Sequence, residues 1–190
     1  MSAVPRRLAL PNGLWGAAAF VATEATLFGT LVSTYFYLRF QTTDWPPGGI
    51  EPPRLVLPLI LTGVLVATSV PVQLASSSAL RARPRTALLF LLLALLVQAG
   101  YLGAQVALFG RDLERFTPQD NAYGSIYFTL LGAHHAHVLA GILLSLWLLA
   151  RLLRGLTRYR VTAVRVVALY WHFVNALAVV VVLTQLSPAL

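Results

Sequence analysis

The chain has 190 residues, of which 58% are hydrophobic and 11% charged, with a mean hydropathy of +0.75 and a formal net charge of +8. Soluble domains carry about 25% charged residues, so this composition excludes a soluble fold and points to an integral membrane protein. Cysteine is absent, which excludes disulfides, thiolate metal sites and thiol redox chemistry. The cations, all arginine, sit at the edges of apolar runs and are not interleaved with aromatics on a soluble face, so the basic character marks no nucleic-acid binder.

Five segments, 14–38, 55–80, 86–109, 123–150 and 161–186, exceed the about 20 residues that a helix needs to cross a hydrocarbon core. The expected fold is an all-α bundle of five transmembrane helices, a single transmembrane domain over residues 1–190. The first segment is too long for a cleavable signal peptide, carries an acid and lacks a small-residue cleavage site.

That acid is Glu24, the only carboxyl group inside a membrane-length apolar run. Placing one carboxyl in hydrocarbon costs at least about 2.5 kcal/mol, so it marks a site with a use. On the same helix Gly16, Ala19, Thr23, Thr26, Thr30 and Thr34 follow at steps of three and four and form one stripe beside Glu24. Small side chains let a second helix approach closely in lipid, so the stripe is expected to be a helix-docking face. After it, Asp44-Trp-Pro-Pro-Gly-Gly-Ile-Glu-Pro-Pro53 forbids helix and forms a turn or loop. In the second span Pro58 falls in the tolerated first turn, whereas Pro71 is expected to kink the helix.

The fourth span holds His134, His135 and His137, with Gly141 one turn beyond, and the fifth holds His172 and Asn175. His134 and His137, three apart, are expected to share a face, with His135 pointing elsewhere. Counted at about 1.5 Å per residue, Glu24, His134, His137 and His172 all come near the middle of the bilayer. Grouping them relieves the burial cost of each. Three readings fit this polar layer: a network that ties helices together, a metal or bis-histidine haem site as in a membrane cytochrome b, and a proton relay.

Arg6, Arg7, Arg81, Arg83, Arg85, Arg151, Arg154, Arg158, Arg160 and Arg165 lie on or beside stretches with no acid, whereas every acid but Glu24 lies in the other two loops. By the positive-inside rule the N-terminus is cytoplasmic and the C-terminus outside.

Three motifs in register carry a resemblance. Thr-Glu24 followed by Tyr35-Phe-Tyr-Leu-Arg39, then His134-His-Ala-His-Val-Leu-Ala-Gly141, then Tyr170-Trp-His-Phe-Val174 resembles subunit III of haem-copper oxidases, the cytochrome c oxidase subunit III family, in its short five-helix bacterial form. The likeness runs from about Trp15 to Leu186. In it Glu24 matches the family's buried carboxylate, His134 and His137 its paired histidines, Gly141 the glycine behind them and His172 the histidine of its last helix. His135 stands where the pattern has glycine, Asn175 where it has aspartate, and Ala178 where long forms carry tryptophan.

The resemblance implies a non-catalytic subunit of a respiratory terminal oxidase in the bacterial inner membrane. Such a subunit binds no haem or copper itself, packs on subunit I, and supports oxygen reduction coupled to proton pumping. It implies haem and copper in partner subunits, with subunit II and a small subunit IV as further partners and phospholipid in a cleft. Loss of the family's subunit leaves an oxidase that takes up protons poorly and inactivates during turnover. An accessory subunit of a nitric oxide reductase shares the helical pattern and is the alternative.

Overall fold

A computed structural model describes residues 11–51 and 56–189. It consists of helices α1 (Asn12–Phe40), α2 (Val56–Ala67), α3 (Ser69–Leu80), α4 (Pro84–Leu113), α5 (Ala122–Leu152) and α6 (Arg158–Leu186), closed by a short 3-10 turn at Ser187–Ala189. Counting α2 and α3 as one interrupted span, five helices among the described residues are long and apolar enough to cross a membrane. In hydrocarbon the backbone must satisfy itself, and a helix does so within each segment. Arg6, Arg7, Pro52, Pro53 and Leu55, which entered the charge, loop and span readings, lie outside the described residues.

The helix ends extend the apolar runs by local chemistry. Pro84 opens α4 at a position where its missing N–H costs nothing. The Asn121 side chain accepts from the Gly124 N–H at 2.8 Å to start α5, and Thr157 accepts from the Arg160 N–H at 3.2 Å to start α6. Between α2 and α3 the break falls at Thr68, not at Pro71 itself. Proline at 71 removes the N–H that would bond the Ala67 carbonyl and crowds that carbonyl, so strain appears one turn upstream. Thr68 adapts by bonding its hydroxyl to the Leu65 carbonyl at 2.6 Å.

Helix α6 is the hub, packing on α1, α2, α3 and α5. Helices α3, α4, α5 and α6 close into a four-membered bundle, and α1 lies outside it in the groove between α5 and α6. Helix α5 meets α6 across Gly141: a Cβ built there would lie 2.7 Å from the Trp171 ring, so only glycine permits this approach. Trp171 is fully buried and its indole N–H donates to Ser145 Oγ at 2.9 Å.

At the acid-bearing end an aromatic cluster joins α1, the 41–51 loop and α5. Trp45 packs edge-on against both Tyr35 and Tyr123 and donates to the Tyr35 hydroxyl at 3.1 Å. Tyrosine and tryptophan suit this depth, where an apolar ring and a wet polar tip are both accommodated. Within the loop Pro46 is buried, and Gly48 and Gly49 stand at φ 71° and 75°, a region that favours glycine.

Candidate functional site

Helix α1 turns Leu14, Ala17, Val21, Glu24, Phe28, Leu31 and Tyr35 toward its neighbours at helical spacing, so the carboxyl group is on the packed face. The Glu24 carboxylate lies 2.9 Å from His137 Nε2, both side chains being less than one-fifth exposed. His137 Nδ1 is 2.8 Å from the Ala133 carbonyl, an acceptor only, so Nδ1 carries a hydrogen. One further proton therefore lies between Nε2 and the carboxyl group, whether as imidazolium with carboxylate or as imidazole with carboxylic acid. Either arrangement is neutral overall, which is what makes a carboxyl group tolerable at this depth. Phe28 packs edge-on against the His137 ring, and the Tyr170 hydroxyl donates to the His137 carbonyl at 2.8 Å, joining α6 to the same point.

The other predicted members stand elsewhere. His134 does not share the face of His137; it meets the α4 Tyr101 hydroxyl at 3.3 Å. Three residues advance a helix by 300°, leaving the side chains about 60° apart, and that angle sends one ring to α4 and the other to α1. His135 is buried against Phe109. His172 sits near the surface between α6 and α3, 3.1 Å from Gln73 Oε1. Asn175 donates to Ser69 Oγ at 2.7 Å and lies 3.4 Å from Thr68 Oγ1, using hydroxyls that the α2–α3 break presents. The polar residues thus share a depth but not a cluster: Glu24 joins His137 alone. Among the described residues no group of three or more histidines and acids is arranged to hold a metal ion.

The small-residue stripe of α1 also lies away from where packing was expected. Gly16, Ala19, Thr23, Thr26 and Thr30 are exposed and Thr34 half-buried, and a Cβ on Gly16 would meet nothing within 4 Å. The cause is angular: Glu24, Phe28 and Tyr35 take the inward face, which leaves the stripe turned away from the described helices. Its threonine hydroxyls bond backward to carbonyls three or four residues earlier, as Thr26 does to Ala22 at 3.0 Å. Gly141 alone among the predicted packing residues lies in an internal interface of the chain.

Residue-by-residue reading passed over the glutamines. Gln98 donates to Thr68 Oγ1 at 3.2 Å, and Gln105 donates to the Tyr101 hydroxyl at 3.0 Å. Gln98, Tyr101 and Gln105 recur at steps of three and four on α4, a visible stripe of costly side chains within an apolar run.

These connections differ in burial, and the cost of breaking them should follow. His172→Ala is expected to lower stability by only about 0.6 kcal/mol, the average for exposed or relaxed interhelical hydrogen bonds. Asn175→Ala takes from the Ser69 hydroxyl the donor it holds at 2.7 Å, while Thr68 keeps Leu65 and Gln98, and is expected to cost about 1–3 kcal/mol. Thermal unfolding of the two variants in the same detergent orders them.

Two hollows remain. One, about 450 Å³, is an apolar groove between α1, α5 and α6, lined by Ala17, Phe20, Ala140, Trp147, Val166 and Tyr170 among others. The Arg151 guanidinium lies 5.1 Å from the Trp147 ring centre, bringing a cation to that hollow's wall. The other, about 310 Å³, lies between α2, α4, α5 and α6 at the opposite end, and its largely apolar wall is broken by polar groups, among them Tyr101, Gln105, His134 and Gln185.

Comparison with known proteins adds to this geometry. The family model described as Cytochrome c oxidase subunit III matches residues 6–185. Cytochrome bo(3) ubiquinol oxidase subunit 3 of Pseudomonas aeruginosa is 32% identical over 168 residues, covering 86% of this chain and 79% of that protein. Quinol oxidase subunit 3 of Bacillus subtilis is 31% identical with the same coverage, and the probable quinol oxidase subunit 3 of Staphylococcus haemolyticus is 31% identical over 86% of this chain and 81% of its own length.

Proposed function

The chain belongs to the cytochrome c oxidase subunit III family and is a multi-pass inner-membrane subunit III of a haem-copper oxidase, and from that premise we propose that it serves as a clasp and lipid-holding flank for a catalytic subunit I that carries the haem and copper. The observation that carries this reading is the Glu24–His137 bond, which fastens the outlying α1 to the bundle. It joins the lone intramembrane acid to a single imidazole, with the next histidine turned to a different helix. A pair without continuation holds helices together and conducts nothing by itself.

Subunit I is the direct partner in this reading, with subunit II and a small subunit IV completing the complex. The self-satisfied stripe of Gly16, Ala19, Thr23, Thr26 and Thr30 presents a low surface on α1 that accepts a helix of another chain. The N-terminus is cytoplasmic and the C-terminus outside, supported by the arginine distribution. The relatives named above are subunits of quinol oxidases, so the complex served here takes its electrons from a quinol. Isolated in mild detergent through a tag on this chain, the complex should contain haem and consume oxygen with a quinol. Isolation with a nitric oxide-reducing enzyme, or with haem-free partners, contradicts the reading.

The groove between α1, α5 and α6 takes a phospholipid acyl chain, with the lipid phosphate at Arg151. Its apolar lining matches hydrocarbon, and its cationic end faces the anionic cytoplasmic leaflet in this orientation. Ala140→Trp, which fills the groove from α5, should reduce the phospholipid that copurifies while leaving the haem spectrum unchanged. Lipid extraction followed by mass spectrometry measures it, and unchanged lipid content refutes the assignment.

A further inference from the structure

The second hollow has different chemistry. At its mouth stand Arg111, Asp112 and Arg115, the last with its side chain 48% exposed. Deeper, its walls carry Gln105 and then Tyr101 and His134, the last two near the middle of their helices. The Gln105 amide donates to the Tyr101 oxygen at 3.0 Å, so the tyrosine hydrogen is directed to His134 Nε2 at 3.3 Å. That chain assigns the remaining imidazole hydrogen to Nδ1. His134 is 1% exposed, and Nδ1 has no hydrogen-bond partner among the described residues.

Hydrocarbon cannot pair the polar groups of this wall. An acyl chain would leave the spare lone pairs of Tyr101 and Gln105, which line the hollow, unpaired, each at a cost of about 1–3 kcal/mol. Water pairs them, and about 310 Å³ holds several molecules. Backbone and side-chain polarity at membrane depth is found where it lines a water-filled cavity.

We propose that the hollow between α2, α4, α5 and α6 is an aqueous vestibule that binds water and small hydrated solutes from the outer face and brings water to the Tyr101–Gln105 pair beside His134. Its outward direction rests on the orientation proposed above. The vestibule ends on the α4 side of α5, whereas Glu24 and His137 meet on the α1 side, so it brings water beside His134 and not to His137.

The absence of native cysteine in this chain allows a direct test. Thr62 and Ala178 line the vestibule, and their sequence neighbours Val64 and Val179, at similar depth, face outward. Thr62→Cys, Ala178→Cys, Val64→Cys and Val179→Cys are made separately in the assembled complex. A charged, membrane-impermeant methanethiosulfonate is then applied to membranes of either sidedness, and its mass shift is read on this subunit.

From the outer side Thr62→Cys and Ala178→Cys should react at least about tenfold faster than the two controls, because the reactive thiolate forms where water solvates it. All four should react after denaturation, which verifies that each thiol is present. Equal rates at the four positions in the native complex, or no reaction at the two lining positions, overturn the vestibule. Reaction from the cytoplasmic side alone overturns its outward assignment, and with it the orientation. None of these outcomes depends on which electron donor the complex uses.

Discussion

Gly141→Ala should destabilise the subunit by about 1–3 kcal/mol, although alanine is the better helix former. Propensity favours the substitution by at most about 1 kcal/mol. Against it stands a Cβ 2.7 Å from one atom of the Trp171 ring and 3.0 and 3.1 Å from two more. A flexible chain end would move aside, but this ring is fully buried and pinned through its N–H to Ser145. Gly141→Val adds two further carbons in the same place and should separate α5 from α6 and abolish assembly. The cause can be isolated with Trp171→Phe, which removes the ring atoms that collide. Gly141→Ala should then cost measurably less in the Trp171→Phe background, giving a coupling energy of about 0.5–3 kcal/mol in a double-mutant cycle. Thermal dissociation midpoints of the four proteins supply the numbers, and a coupling near zero would mean that the contact does not govern the packing.

The second large effect is expected at Glu24. In Glu24→Ala the imidazole Nε2 of His137 loses its partner at the middle of the membrane, a loss of about 1–3 kcal/mol concentrated on the attachment of α1. Glu24→Gln keeps a donor, since the amide N–H reaches Nε2 of the tautomer that the Ala133 carbonyl selects. The two variants therefore separate two roles. If Glu24 fastens a helix, glutamine restores most of the stability and of the working lifetime that alanine removes. If Glu24 carries protons, glutamine is as damaging as alanine, because an amide does not titrate. The measurements are the detergent concentration at which the subunit leaves the complex and the half-life of oxygen consumption. Restoration by glutamine in both is the expected result.

Much of the architecture was legible along the chain because lipid leaves few choices. An apolar run of sufficient length must be a helix, and Pro71 within one of them announces a break, though the strain surfaces at Thr68 because the lost hydrogen bond reaches back one turn. Depth was legible too: Glu24, His134, His137 and His172 do lie near the middle of their helices. Direction across the bundle was not. Spacing within one helix says nothing of which neighbour each face meets, so the pairing of Glu24 with His137, and the departure of His134 to Tyr101 and His172 to Gln73, had no signal in the sequence. The threonine stripe illustrates the same limit, since a row of small residues marks a surface fit for close approach without saying whose helix approaches. Gln98 and Gln105 carried a usable signal, their cost inside hydrocarbon, which the attention given to histidines and acids obscured.

With redox chemistry proposed for neighbouring chains, the task proposed for this subunit is to keep them working. The most direct measurement removes it: the purified oxidase is stripped of this subunit by detergent, and haem content, the rate of haem reduction by quinol and the half-life of oxygen consumption are recorded before and after. Haem content and reduction rate should be unchanged while the working half-life shortens, and adding the subunit back should restore it. Departure of haem with this chain, or a halt in haem reduction on its removal, would contradict the account.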